Sequence, residues 1–365
     1  MVRKFFGSLI ERAGRALKAS EDDIGWLQRV PGMPFVQDGT GKFDNLLFNI
    51  KNYNQHTLPK SLAYLLVPGL FSNFGPPSFA DTQAYFQRLG LDCEIAKIDS
   101  EAGVINNAKK IKNCIKTLHN RSGKKVVILG HSKGGLDAAA ALSIYWHKLE
   151  DKVAGLVLAQ CPYAGNPIAS DILRQGSFQR VNLKREVMEL VMSGILKGDL
   201  RAIEDVTYKK RREFLEVNPL PKQLPVVSFH TQTKINHITL KKFYEVAKVE
   251  FSSSSTSNDS NASEPWSISS GLAVLATVLE LRYGTKSDGL VTREDAEAPG
   301  SIVVRYGRNL DHCWIAGNCS SNDDQEGRKA NNSQVCEALF ALVIEMAQMK
   351  GFINLRPRRS SSSDY

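Results

Sequence analysis

Residues 124–142 read KKVVILGHSKGGLDAAAAL. An apolar run stops at Gly130, Ser132 stands two positions on, and an Ala-rich segment begins at once. A near-continuous apolar run is what a parallel strand covered on both faces requires. Ala is the strongest helix former, so a helix is predicted directly after the turn. Gly130-His131-Ser132-Lys133-Gly134 therefore matches G-x-S-x-G at a strand-to-helix junction. So tight a turn strains the Ser backbone, and side chains two positions to either side would clash. Gly130 and Gly134 remove those side chains and leave the hydroxyl clear of the sheet. The N–H groups opening the helix suit a developing negative charge. The bare pattern arises by chance in about one chain in ten of this length. The flanking strand and helix therefore carry the reading. A phosphate-cradling turn is the alternative, but the P-loop order of Lys then Ser/Thr is absent.

Outward from the elbow the chain alternates. LAYLLVPG from Leu62, CEIAKI from Cys93, VAGLVLAQ from Val153, LPVVSFHT at 224–231 and SIVVRY from Ser301 read as strands. FADTQAYFQRLG, NAKKIKNCIKTLH, GLDAAAALSIYWHKLE and SQVCEALFALVIEMAQM read as helices, with a further helix near 270–282. Alternation of this kind predicts an α/β domain with a mostly parallel sheet and helices on both faces. The domain is expected over 31–350, after an N-terminal segment at 1–30 and before a solvated tail at 351–365. Residues 164–222 break the rhythm and read as a helical insertion over the sheet edge. Residues 252–265, SSSSTSNDSNASEP, read as a flexible loop.

With 365 residues, roughly 75 % of the unfolded surface can be buried, so no staples are needed. Hydrophobic residues at 42 % and charged ones at 23 % are those of a soluble globular chain. A net charge of +9 favours anionic surfaces. No zinc-finger spacing or aromatic RNA-binding signature accompanies it, which argues against nucleic acid as a partner. The six cysteines form no CxxC pair and read as reduced or buried thiols. No metal or organic cofactor is expected. Residues 2–18 set Val2, Phe5, Phe6, Leu9, Ile10, Ala13 and Leu17 at helical spacing, with Arg3, Lys4, Arg12, Arg15 and Lys18 on the other face. Such a helix either packs on the domain or lies on an anionic membrane. A secretory signal is not evident. The expected compartment is the cytoplasm, with peripheral membrane contact if the basic helix binds lipid. An organelle, plastid or mitochondrion, is the alternative.

A serine hydroxyl needs a base, and the base needs an orienting acid. Of seven histidines, His131 lies inside the elbow, and His119 and His147 fall on flanking helices. His230 ends a strand, and His237 follows in a loop. His312, in RNLDHCWIAG after the last strand, is where the order Ser, Asp, His puts the base. Asp288, in KSDGLVT, is the expected acid, with one strand between it and His312. Asp295 lies too far into the next loop, and Asp311, adjacent to His312, faces another way. His230 and Asp311 remain the runners-up. Two N–H donors are needed for an oxyanion. Lys133, after the nucleophile, offers one, and Leu70, after Pro68-Gly69, the other, with Phe71 as fallback. The Lys133 side chain either meets an anionic headgroup or points to water. Lys209 to Arg212 is a solvated face or a contact for anionic lipid. Val187, Leu190, Val191, Ile195 and Leu196 face an acyl chain or pack on the core.

The segments LLVPGLFSNFGP, GHSKGGLD, KSDGLVT and LDHCWIAG together resemble the lipase branch of the α/β-hydrolase superfamily, over roughly Leu62 to Lys350. The resemblance implies an α/β-hydrolase fold and a serine hydrolase of carboxylic esters with lipid-like substrates, with Ser132 as nucleophile, Asp288 as acid and His312 as base. It also implies that 164–222 corresponds to a lid. Lipases of this branch usually carry His-Gly at the oxyanion turn, where this chain has Pro68-Gly69. Thioester hydrolysis and acyl transfer use the same triad. A non-catalytic hydrolase-fold binding protein and a membrane-binding module are the rivals from other classes. Oligomeric state is not legible.

Overall fold

The computed structural model describes residues 22–70, 72, 78–174, 200–234, 276–277, 279–281, 283–317 and 330–354. The basic segment 2–18, the apolar positions Val187 to Leu196, the Ser-rich run 252–265, Phe71, His237 and the tail beyond 354 lie outside them.

Seven strands form one sheet: β1 (Gln37–Asp38), β2 (Leu62–Val67), β3 (Asp92–Ile95), β4 (Lys125–His131), β5 (Val153–Ala159), β6 (Val226–Gln232) and β7 (Ile302–Asn309). The order is β1-β7-β6-β5-β4-β2-β3, and every neighbouring pair is parallel. β2 and β5 are buried along their whole length, and β4 is buried from Val126 onward. Alternate residues serve opposite faces. Val126 and Ile128 join one apolar cluster, and Val127 and Leu129 the other. The unbroken Val/Ile/Leu runs are thus the consequence of two covered faces.

α3 (Val104–Ser122) and α4 (Lys133–Tyr145) cover the first face. α3 places Ile111, Ile115 and Leu118 inward at helical spacing and stops at Gly123, whose φ of 68° suits a C-terminal cap. α1 (Thr40–Tyr53), α2 (Ala80–Arg88) and α9 (Asn332–Met349) cover the second. α9 opens with a reciprocal cap between Asn331 and Gln334, and nearly all of it is buried. β1 and α1 were not read from the sequence. β1 is two residues long, and α1 begins after Gly39 with no side-chain cap.

Between β5 and β6 run α5 (Pro167–Arg174), α6 (Leu200–Glu204) and α7 (Tyr208–Val217), and α8 (Arg293–Ala296) precedes β7. Ala169, Ile203, Val206 and Leu215 from this stretch join the first-face core. The basic run on α7 divides. Lys209 and Lys210 are exposed, as a solvated face requires. Arg211 is buried, donates from Nε to the Tyr163 carbonyl at 2.9 Å and stacks on Tyr163 and Phe214. Arg212 pairs with Asp23 and stacks on Trp26. Helical phase turns Arg211 inward and leaves Arg212 part-exposed against Asp23 and Trp26, which a run of like charges does not reveal.

Chain order reverses between β2 and β4: the chain passes from β2 out to β3, then returns to lay β4 on the other side of β2. In open parallel sheets the crevice beyond the carboxyl ends at such a reversal is where ligands bind. Here those ends carry Pro68 to Leu70 and Ser132.

Candidate active site

Ser132 caps α4 with φ 52° and ψ −130°, a strained conformation for a residue with a side chain. The glycines around it are required by contact. A Cβ on Gly134 would strike the carbonyl oxygens of Pro68 and Val67, the latter at 2.7 Å, and one on Gly130 would lie 2.6 Å from Gly135 Cα. Gly135, unremarked in the sequence, is equally constrained, since its Cβ would lie 2.8 Å from Cys161 Sγ. A Cβ on Gly69 would lie 3.0 Å from Ser132 Cβ. The β2 turn is thus seated directly on the elbow, with Leu70, half-buried, next in the chain.

His312 reaches both partners. Its Nε2 is 2.8 Å from Ser132 Oγ, and its Nδ1 is 2.8 Å from Asp288 Oδ2. A carboxylate only accepts, so Nδ1 carries the proton, and the bare Nε2 accepts from the serine hydroxyl. The His312 amide donates to the Asp288 carbonyl at 3.0 Å, binding the two loops together. Asp288 Oδ1 accepts from the amides of Leu290 and Val291 at 3.0 and 2.9 Å. Burial works to raise its pKa, but His312, by charge and hydrogen bond, and these amides together outweigh it. The carboxyl stays below its ordinary value.

Two residues at this site were not given a part by the sequence. His131 donates from Nε2 to the His312 carbonyl at 2.8 Å. Burial, with the nearby His312 adding to it, pushes its pKa down to about 3, so the ring is neutral at physiological pH. Gln160, the polar residue closing the apolar run of β5, donates to Asp288 Oδ2 and to the Asp311 carbonyl. Its only sequence signal is a lone amide at a buried strand end.

Lys133 overturns the expected outward side chain. It is 2 % exposed and donates to both carboxylate oxygens of Asp137, at 2.9 and 3.0 Å. Asn107 of α3 donates to the same carboxylate at 2.9 Å. Burial pushes the Asp137 carboxyl up to about 6, against the pull of Lys133 and Asn107. The spacing of four along a helix was the available signal.

The side chains of the runners-up, Asp311 and His230, and of the rejected Asp295 take other partners. Asp311 Oδ1 accepts from the Cys313 amide. Asp295 accepts from Gly25 N and the Tyr208 hydroxyl and ties the two segments together. His230 meets Glu297 at 3.2 Å, and Arg305 closes on the same carboxylate. Burial works to raise the Glu297 pKa, but His230 and Arg305 prevail and bring it down to about 2. Its ordinary value is 4.5, so its stabilisation is fully present above that pH and is lost as the pH falls toward 2. Thermal melts should accordingly show wild type above Glu297→Gln at pH 6, with the gap narrowing toward pH 3. A gap that stays constant would refute the charged pairing.

His119 binds the Lys124 carbonyl, His56 meets Glu337, and His147 is exposed. Cys93, Cys161 and Cys336 are buried and Cys114 half-buried, all as free thiols. Among the described residues no group of three or more His, Cys, Asp or Glu side chains is arranged to hold a metal ion. Among them, too, no helix is long and apolar enough to cross a membrane.

Comparison with solved structures bears on this architecture. The metagenomic carboxyl esterase MGS0156 superposes with a TM-score of 0.56 at 18 % identity, covering 85 % of this chain and 93 % of that one. The fold is that of the α/β hydrolases. The mature form of Bacillus licheniformis lipase BlEst2 matches with a TM-score of 0.48 at 17 % identity, over 71 % of this chain and 87 % of that one. No protein-family model and no curated protein sequence matches the chain.

Proposed function

We propose that this α/β-hydrolase-fold chain is a serine hydrolase of carboxylic esters, acting on lipid-like substrates that bear an acyl chain. The reading rests on one observation: an unbroken relay from Ser132 Oγ through His312 to Asp288, both links 2.8 Å, at the strained elbow beside the chain reversal. The fold shared with a carboxyl esterase agrees with it.

In this reading Ser132 Oγ attacks the ester carbonyl carbon as its proton passes to His312 Nε2. The negative charge that develops on the carbonyl oxygen is received by the backbone N–H groups of Leu70 and Lys133. Losing one such donor typically costs about 3–4 kcal/mol of transition-state stabilisation. The tetrahedral centre collapses, the ester C–O bond breaks, and the imidazolium protonates the departing alkoxide. Water then gives its proton to His312 and attacks the acyl-serine. The carboxylic acid leaves, and Oγ regains its proton. Asp288 remains ionised throughout, holding Nδ1–H and stabilising the imidazolium. Its depressed pKa suits that part.

A fluorophosphonate probe tests the reading. One label per chain is expected, mapped by peptide mass spectrometry to Ser132, with hydrolysis of p-nitrophenyl esters lost in proportion to labelling. A wild-type protein that takes no label, or takes it at another residue, refutes the assignment. Preference for long over short acyl esters in the same assay supports the lipid-like substrate class, and the reverse removes it.

A further inference from the structure

We infer that Gln160 is a positioning residue for this reaction, its side-chain amide fastening the acid and the base loop to the end of β5; the inference rests on the hydrolase reading above. Gln160 is fully buried and holds φ at 49°. Glycine would adopt that backbone more cheaply, so what the position gains from Gln is its amide. Three oxygens surround Nε2: Thr231 Oγ1 at 2.7 Å, the Asp311 carbonyl at 3.0 Å and Asp288 Oδ2 at 3.1 Å. Thr231 spends its own proton on the Leu310 carbonyl at 2.9 Å. All three oxygens therefore accept, and only the NH₂ end of the amide can face them. The other end, Oε1, is buried and has no hydrogen-bond partner among the described residues. An orphaned acceptor is costly. The two N–H groups are shared among these three acceptors, of which Asp288 Oδ2 and the Asp311 carbonyl belong to the acid and the base loop.

The bond to Asp288 falls on Oδ2, the oxygen that also accepts from His312 Nδ1. It fixes the carboxylate plane and draws off part of its charge. The bond to the Asp311 carbonyl holds the residue preceding His312, while His131 holds the carbonyl that follows. Without the amide, Asp288 would bear more uncompensated charge, and the imidazolium of His312 would be more stable. The titratable groups around the pair are neutral His131 from β4, and Asp311 and Cys313 on the base loop itself. Gln160→Leu changes the charge of none of them.

The experiment compares wild type with Gln160→Leu, and with Gln160→Met should the leucine variant not fold. Protein carrying histidine labelled with carbon-13 is titrated by NMR, the His312 signal being identified by its loss in His312→Gln. The His312 titration is expected to rise by at least about 0.5 pH unit, and the acid limb of kcat/KM for p-nitrophenyl butyrate to move with it. Per fluorophosphonate-titrated site, kcat should fall roughly 10- to 100-fold, the loss expected of a hydrogen bond to a charged group, with KM within about threefold. A purely structural role would lower the fraction of folded enzyme and leave the titration where it was. An unmoved titration in a folded variant overturns the inference. A wild type that neither labels nor hydrolyses esters overturns the hydrolase reading and the role of Gln160 with it, whereas an unmoved titration in a protein that does label overturns the inference alone.

Discussion

Ser132→Ala is expected to lower ester turnover by roughly 10⁵- to 10⁶-fold and to abolish fluorophosphonate labelling, with the melting temperature unchanged or higher. The stability side of this expectation follows from the elbow. Alanine keeps the Cβ, so the strained φ of 52° persists. What disappears is the hydroxyl and its bond to His312 Nε2. His312→Gln should lose a similar factor, since the hydroxyl then has nothing to take its proton. The double variant should be little worse than either single one, because the residues act as a unit and removing any member disables the same step. Single-turnover and steady-state assays on correctly folded protein check all three. Residual turnover within tenfold of wild type in Ser132→Ala, or additive losses in the double variant, would place the chemistry elsewhere.

Lys133→Ala is expected to destabilise the fold by about 3–5 kcal/mol, the usual effect of leaving one partner of a buried ion pair alone. For a chain of this size that corresponds to a melting temperature lower by about 4–7 °C. The reason is the setting. Lys133 and Asp137 are respectively 2 % and 1 % exposed, and their attraction offsets the desolvation of both. Truncating the lysine strands a carboxylate that, among the described residues, keeps the side-chain bond from Asn107 alone. Replacing both residues by apolar ones of similar size, Lys133→Met with Asp137→Leu, should recover most of the loss, since a matched apolar pair no longer has charges to desolvate. Every one of these variants keeps the residue-133 N–H, so kcat per labelled site should stay within about tenfold of wild type. Thermal melts joined to active-site titration separate the two effects. A Lys133→Ala variant as stable as wild type would rule out the buried pair.

Much of the architecture was legible because it depends on neighbours in sequence. The apolar runs at Leu62, Lys125 and Val153, each followed by a helical pattern, report a parallel sheet covered on both faces wherever the chain later travels. The elbow is equally local: two glycines around a serine, a strand before and a helix after. β1 escaped because two residues carry no periodicity. His312 and Asp288 were chosen by chain order, and the structure brings both to Ser132 while taking His230 to Glu297.

The sequence by itself determined the alternation of strands and helices from Leu62 onward, the tight turn at Ser132 and the chain order of Ser132, Asp288 and His312, since these follow from backbone sterics and from the spacing of adjacent residues. Tertiary structure alone decided which side chains meet. It turned Lys133 and Arg211 inward, set His131 on the His312 carbonyl and brought Gln160 to Asp288. Those outcomes depend on which distant segment packs against each residue and on whether that segment offers a partner for a buried charge or amide.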